Sequence, residues 1–168
     1  MNRPQNVAEH SFRVAWLALL LAQTEKADAS KVLKMALVHD IVESRTGDTD
    51  YLMRPYVIRN DEKAIKDILR GTSLEKQYLK LFEEYEKRQS LEAKIVKDSD
   101  TLDVDLEIRE QEARGMKPIR AWHGYRREGN YKKLFTKSAR KIWEEIQSSN
   151  PQDWHTKADH RYKSRKKV

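Results

Sequence analysis

The sequence predicts an all-α protein, a single helical bundle of about five to seven helices, for three reasons. Apolar side chains recur at intervals of three and four residues in several segments, whereas no stretch shows the alternation of a strand. Helix start and stop residues bracket those segments. The 168 residues are 36% charged and contain only five glycines and four prolines, a composition that favours helices over sheets. This length suits one domain with a substantial core.

The first helix is signalled by a capping box in the stretch NVAE. Asn6 is a preferred N-cap residue, and Glu9 follows three positions later, where its side chain can bond back to the N-cap amide. We therefore expect a helix that begins after Asn6 and continues to about Lys26.

The stretch DASKVLKMALVHDIVES predicts a second, continuous helix that begins at Asp28 or Ser30 and ends before Gly47. Similar signals predict four further helices. These are a third from Asn60 or Asp61 to Gly71, a fourth carrying Leu74, Tyr78, Leu81, Phe82 and Tyr85, a fifth from Ser90 to Gly115, and a last one capped by Thr136.

Residues 1–150 are expected to form the domain, and residues 151–168 a basic C-terminal tail. The net charge is +7, and residues 116–168 hold 15 Lys and Arg against 5 Asp and Glu. A basic surface of this kind could face nucleic acid, a membrane surface or a phosphorylated small molecule. The stretch AWHGYRREGNYKK also mixes aromatic and basic residues, as single-strand binders do. A nonenzymatic nucleic-acid-binding module therefore remains open as an alternative.

Two general features concern location. No run approaches the roughly 18 consecutive apolar residues that a membrane span needs, so a membrane protein is not expected. The sequence contains no cysteine, which excludes disulfides and thiolate metal sites and fits a cytoplasmic location.

Two histidines and two aspartates share helix faces with residues expected in the core: His10, His39, Asp40 and Asp100. Burying a carboxylate is costly unless it is paired or binds a metal. Imidazoles and carboxylates that converge from separate helices would suit a divalent cation. The pattern leaves other interpretations open: a hydrogen-bonded core histidine, a solvated helix end at Asp40, or Asp98 in place of Asp100.

Three blocks of the sequence, in this order, resemble the HD-domain metal-dependent phosphohydrolases: AEHSFRVAWLALLLA, ALVHDIVESRTGD and AKIVKDSDTLD. Within that superfamily, the E-H-S opening and the pattern H-D-x-x-E-x-x-x-G-D resemble the HD-domain 5'-deoxynucleotidases over about residues 4–115. HD enzymes that hydrolyse guanosine alarmones resemble H-D-x-x-E-D instead. Ser44 stands at the last position of that pattern here, which argues against alarmone hydrolysis.

The resemblance implies one divalent cation (Mn, Co, Mg, Zn, Fe or Ni), held by His10, His39, Asp40 and Asp100. The D-x-L pattern in SDTLD is the reason to prefer Asp100 to Asp98. The resemblance also implies that Glu43 and Asp48 form an acidic pair that handles protons and substrate beside the metal.

The implied activity is hydrolysis of phosphate monoesters, above all nucleoside or deoxynucleoside 5'-monophosphates, by a homodimer. A phosphodiester, a cyclic nucleotide or a nucleoside triphosphate is the alternative substrate. The family pattern places a helix before the E-H-S block, and only nine residues precede His10 here. Either that helix is missing or the sequence is N-terminally incomplete, and Arg3 could be a remnant of its basic contact. The candidate phosphate-binding residues are Arg3, Arg13, Arg45 and Lys97.

Overall fold

The computed structural model describes residues 5–50, 52–116 and 129–157. No strand occurs in these ranges, which confirms the all-α prediction. The helices are α1 (Val7–Glu25), α2 (Ala29–Val38), α3 (Glu43–Thr46), α4 (Asp61–Leu69), α5 (Glu75–Lys87), α6 (Leu91–Ala113), α7 (Lys137–Ser148) and α8 (Asp153–Thr156), with a 3-10 turn at Arg54–Tyr56. Residues 129–133 are also helical. No helix in the described ranges is both long and apolar enough to cross a membrane.

The core forms where α1, α2 and α6 pack together, with α5 against α2 and α6, and α7 against α6. Leu21, Met35, Ile95 and Leu102 are fully buried in it, and each such side chain contributes about 1.5–3 kcal/mol through removal from water. Small residues, such as the fully buried Ala18, lie among them and let the helix backbones approach closely.

The predicted helix starts are confirmed. The Asn6 side chain accepts a hydrogen bond from the Glu9 amide, and the Glu9 carboxylate accepts one from the Asn6 amide, both at 3.0 Å. This reciprocal pair satisfies two amides that α1 itself leaves unbonded. A one-way cap, in which the N-cap side chain accepts from the amide three residues on, begins the other predicted helices apart from the one over α5. These capping residues are Asp28, Asn60, Ser90 and Thr136.

The prediction of one continuous helix from Asp28 to before Gly47 is wrong. α2 ends at Val38, and the next helical turn, α3, begins only at Glu43. Between them the amides of Ile41 and Glu43 bond to carbonyls three residues back, at 3.3 and 3.0 Å. Bonds of this spacing wind the backbone more tightly than an α-helix does, and the break changes the directions of the polar side chains that follow α2.

Asp98 joins α6 to the start of α7. Its carboxylate is 1% exposed and accepts hydrogen bonds from the Phe135 amide (2.8 Å), the Thr136 amide (2.9 Å) and the Thr136 hydroxyl (2.7 Å). Thr136 Oγ1 in turn accepts from the Ala139 amide and caps α7. Asp98, which the sequence left open as an alternative to Asp100, is thus used for packing.

Replacing this carboxylate by an amide should destabilise the fold. In Asp98→Asn only one oxygen remains to accept, and an NH2 group would face a buried donor, so we expect a loss of about 2 kcal/mol in the free energy of unfolding. Urea unfolding followed by circular dichroism measures this loss. Glu62→Gln, a comparable change on the exposed surface of α4, is the control and should leave the midpoint unchanged. Equal midpoints for both variants would show that the Asp98 bonds do not stabilise the junction.

Candidate metal centre

Four side chains from three parts of the chain meet at one point. His10 comes from the first turns of α1, His39 and Asp40 from the turn after α2, and Asp100 from α6. His10 Nε2 lies 3.3 Å from Asp40 Oδ2 and 3.4 Å from Asp100 Oδ1, while His39 Nε2 lies 3.2 Å from Asp40 Oδ2. One ligand atom from each of the four lies within 4.8 Å of the others. The structure therefore brings together the four residues that the sequence predicts as ligands.

Both imidazoles are oriented by a bond on the opposite side of the ring. His39 Nδ1 lies 2.7 Å from the Ala36 carbonyl oxygen, and His10 Nδ1 lies 2.8 Å from Asp103 Oδ2. In each case Nδ1 donates, which leaves Nε2 directed at the cluster. His39 Nε2 is buried, and its 3.2 Å contact with Asp40 Oδ2 does not have the geometry of a hydrogen bond. A buried nitrogen of this kind, in a ring anchored through its other nitrogen, is the usual arrangement of a metal-binding histidine.

The cluster also stabilises positive charge. Burial opposes the charged form of His10, but hydrogen bonds to Asp100, Asp103 and Asp40 outweigh it and raise the pKa of His10 to about 12. Burial likewise opposes ionisation of Asp100, yet His10 and Lys97 lower the pKa of that carboxyl to about 2. Carboxylates that stay ionised while buried create a strongly negative potential, and such a site attracts a divalent cation.

Glu43 lies at the edge of this centre. Its backbone amide bonds to the Asp40 carbonyl at 3.0 Å. Burial and then the charges of Asp40 and Asp48 raise the pKa of the Glu43 carboxyl, whereas a bond from Arg59 opposes them. Arg59 Nη1 donates to Glu43 Oε1 at 2.9 Å, and its Nε donates to Asp61 at 3.0 Å. Asp48 is exposed.

The predicted phosphate contacts lie in different settings. The Arg13 guanidinium is occupied by carboxylates of α6, at 2.6 Å from Asp103 and slightly further from Glu107 and Glu110. Lys97 Nζ lies 2.6 Å from Asp100 Oδ2, at the centre itself. Arg45 is exposed on α3. Arg3 lies outside the described residues.

Three residues near the centre carried no recognised signal in the sequence. Asp103 could have been found, because it follows Asp100 by three positions and so shares its helix face. Tyr85 was expected only as an apolar position of its helix, yet its ring packs edge-on against the His39 ring at a centroid distance of 5.6 Å. Arg59 lies in a loop without periodicity, and only the tertiary structure brings it to Glu43.

Comparison with known proteins places this geometry in a family. The family model described as HD domain matches residues 1–147. The 5'-deoxynucleotidase HDDC2 of Homo sapiens is 34% identical over 125 residues, which cover 71% of this chain and 61% of that protein. The 5'-deoxynucleotidase hdd1 of Schizosaccharomyces pombe is 30% identical over 121 residues, or 67% of this chain and 61% of that protein. The chain thus spans about three fifths of the length of the curated relatives it matches.

Solved structures agree with this placement. A conserved hypothetical protein from Pyrococcus furiosus has a TM-score of 0.72 and 33% sequence identity, with 86% of this chain and 84% of that chain covered. A predicted metal-dependent phosphohydrolase from Magnetospirillum magnetotacticum MS-1 has a TM-score of 0.67 and 27% identity, with 86% and 76% covered. The three sequence blocks, the converging His and Asp side chains and the match over residues 1–147 lead to one conclusion: the chain belongs to the HD-domain family.

Proposed function

We propose that this protein is a divalent-metal-dependent phosphohydrolase that cleaves deoxyribonucleoside 5'-monophosphates. The observation that carries the proposal is the convergence of His10, His39, Asp40 and Asp100, whose ligand atoms lie within 4.8 Å of one another with the buried Nε2 of His39 directed at the same point. These four residues would hold the cation. The curated relatives reported above are 5'-deoxynucleotidases, which supports the choice of substrate.

Two imidazole nitrogens and two carboxylate oxygens accept several divalent ions, so Mn, Co, Mg, Zn, Fe and Ni are all compatible with this donor set. When bound, such a cation would polarise a phosphoryl oxygen and make a neighbouring water more acidic. The negative charges of Asp40 and Asp100 would help to hold the cation in place.

Glu43 is proposed to move the proton. The reaction forms a bond between a water oxygen and phosphorus and breaks the bond from phosphorus to O5', and a proton has to pass from the water to O5'. A half-buried carboxylate with a raised pKa at the edge of the centre suits this transfer. Arg59 would hold the carboxylate in position, and Asp48 would add negative charge at the solvent side.

Lys97 and Arg45 are proposed as phosphate contacts, Lys97 because its ammonium already lies at the centre and Arg45 because it follows Glu43 on α3. We further propose that residues 1–150 form the HD domain, that residues 151–168 form a basic tail, and that the protein acts as a cytoplasmic homodimer. A nucleic-acid-binding function is not proposed, because the relatives reported above give it no support. The stretch AWHGYRREGNYKK lies mostly outside the described residues, and the tail lies outside them from residue 158 on.

Phosphate release from a panel of deoxyribonucleoside 5'-monophosphates, with Mn²⁺, Co²⁺ or Mg²⁺, tests the function. We expect hydrolysis that a chelator abolishes and added metal restores. His39→Ala should lose both metal binding and activity, because it removes the buried ligand atom, whereas His155→Ala, a histidine that is not one of the four, should retain both.

Two results would contradict the proposal in different ways. Normal metal binding without hydrolysis of any deoxynucleotide would show that the substrate is wrong, and cyclic nucleotides, phosphodiesters and triphosphates would then be compared in the same assay. Unchanged metal binding by His39→Ala would show that the metal centre is wrong.

Glu43→Gln should separate chemistry from metal binding. The amide cannot exchange the proton, so we expect kcat to fall by roughly 10²- to 10⁴-fold, while the affinity for Co²⁺ in a calorimetric titration stays within a few-fold of wild type. Glu62→Gln is the matched control and should keep full activity. A Glu43→Gln enzyme with wild-type kcat would exclude Glu43 from proton transfer.

Arg59 should act through Glu43. Arg59→Gln removes the bond that orients the Glu43 carboxylate, and we expect kcat to fall by roughly 10- to 100-fold with little change in KM. Arg59→Lys keeps the charge and should recover part of the loss. If Arg59→Gln instead raises KM at constant kcat, the guanidinium binds substrate and does not position Glu43.

A further inference from the structure

Asp103 is a completely buried carboxylate beside the metal centre, and the proposed reaction leaves it without a role. It is 0% exposed and follows Asp100 by about one turn of α6. Its Oδ2 lies 2.8 Å from His10 Nδ1 and accepts a hydrogen bond from Gln5 Nε2 at 2.7 Å. Its Oδ1 lies 2.6 Å from Arg13 Nε. Burying such a charge is costly, so these contacts need an explanation.

We propose that Asp103, held by Arg13, is a positioning residue that fixes the tautomer and the direction of the His10 ring and thereby sets the affinity for the divalent cation. This inference rests on the metal centre of the proposed function and assigns a task to two residues outside the ligand set. Asp103 and Arg13 would orient the metal-binding His10 ring, and neither residue contacts the substrate in this role.

The tautomer follows from the hydrogen-bonding capacity of each group. An ionised carboxylate can only accept, so the proton between Asp103 and His10 belongs to Nδ1. Nε2, 3.3 and 3.4 Å from the oxygens of Asp40 and Asp100, is then the nitrogen whose proton a cation would displace to reach the lone pair. The opposite tautomer would point an N–H at the cation position and exclude it. A carboxylate that accepts from the other nitrogen of a ligating imidazole also makes the imidazole more basic and therefore a stronger electron-pair donor to the cation.

Arg13 keeps the Asp103 carboxylate in its orientation. Beyond the contact with Asp103, its Nη1 donates to Glu107 at 3.1 Å and to Glu110 at 3.2 Å. The guanidinium is therefore fixed at two further points on the following turns of α6. His10 and Arg13 are three residues apart on α1. Through them the start of α1, which carries the ligand, contacts α6 before Asp103, at Asp100, and after it, at Glu107 and Glu110. Nε and Nη1 of Arg13 thus face carboxylates of α6, and Nη2 is buried without a hydrogen-bond partner among the described residues. The phosphate contact that the sequence predicts for Arg13 stays a prediction.

Asp103→Asn tests the proposal, with Asp105→Asn as the matched control. Asp105 lies on the same helix and is 4% exposed, but it accepts from Trp143 Nε1 at 2.9 Å and from Asn130 Nδ2 at 3.1 Å, away from the centre. In Asp103→Asn, an NH2 group must face either His10 or Arg13, so one contact is lost in each orientation. The measurement is Co²⁺ binding by competition with a chromophoric chelator, with the visible absorption spectrum of bound Co²⁺ as a second readout.

We expect Asp103→Asn to bind Co²⁺ roughly 10- to 100-fold more weakly and to change the Co²⁺ spectrum, while Asp105→Asn matches wild type in both. Circular dichroism and urea unfolding establish that each variant is folded. If Asp103→Asn does not fold, Arg13→Gln takes its place and should weaken binding several-fold in the same direction.

The outcomes separate this inference from the proposed function. Unchanged Co²⁺ affinity in a folded Asp103→Asn or Arg13→Gln protein overturns the positioning role and leaves the hydrolase proposal standing. Equal weakening in Asp105→Asn also overturns it, because the effect would then be a general loss of stability. Failure of the wild-type protein to bind any divalent cation would overturn the metal centre and this inference together. Metal binding without deoxynucleotide hydrolysis would affect only the choice of substrate.

Discussion

Three aspartates on α6 are buried almost completely, and each of their carboxylates has to find partners because a buried, unpaired charge costs several kcal/mol. Asp98 accepts from the backbone and side chain that begin α7, and Asp105 accepts from Trp143 on α7. Asp103 faces the other way and pairs with residues of α1. α6 is therefore a central helix that specifies which elements pack against it, since other neighbours would leave these carboxylates without donors.

The metal centre also depends on a largely buried aspartate of α6, but this carboxylate faces the candidate metal ligands. Asp100 lies between the buried aspartates in sequence but points to His10, His39 and Asp40 rather than to a backbone amide. Among the described residues, the Asp100 carboxylate contacts the His10 imidazole and the Lys97 ammonium. A bound cation could take the place of these contacts or lie beside them. The distinction between a packing aspartate and a ligand aspartate is thus a matter of what each carboxylate faces. Asp98 and Asp100 are only two positions apart, and helix geometry alone turns them to different sides.

The break after α2 determines the directions of the two ligands on the other side of the centre, His39 and Asp40. On a regular helix, neighbours such as His39 and Asp40 point about 100° apart. The tightened backbone from Val38 to Glu43 brings both side chains to one point and leaves Glu43 at its edge. His39 depends on the end of α2 for its orientation, through the Ala36 carbonyl, whereas His10 depends on Asp103 of another helix. The two histidines are thus supported independently, one by its own helix and one by the packing of α1 on α6.

The sequence by itself determined the helical class, the caps at Asn6, Ser90 and Thr136, and the set of polar residues that share apolar helix faces. Those features are local: a cap bonds within three residues, and a helix face repeats every three or four. It could not determine the break at His39, because the apolar periodicity continues through that position. Nor could it show that Asp98 serves α7, that Arg59 reaches Glu43 or that Arg13 is held by three carboxylates. Those contacts join residues between 16 and 97 positions apart, and only tertiary packing decides which distant donor meets which buried carboxylate.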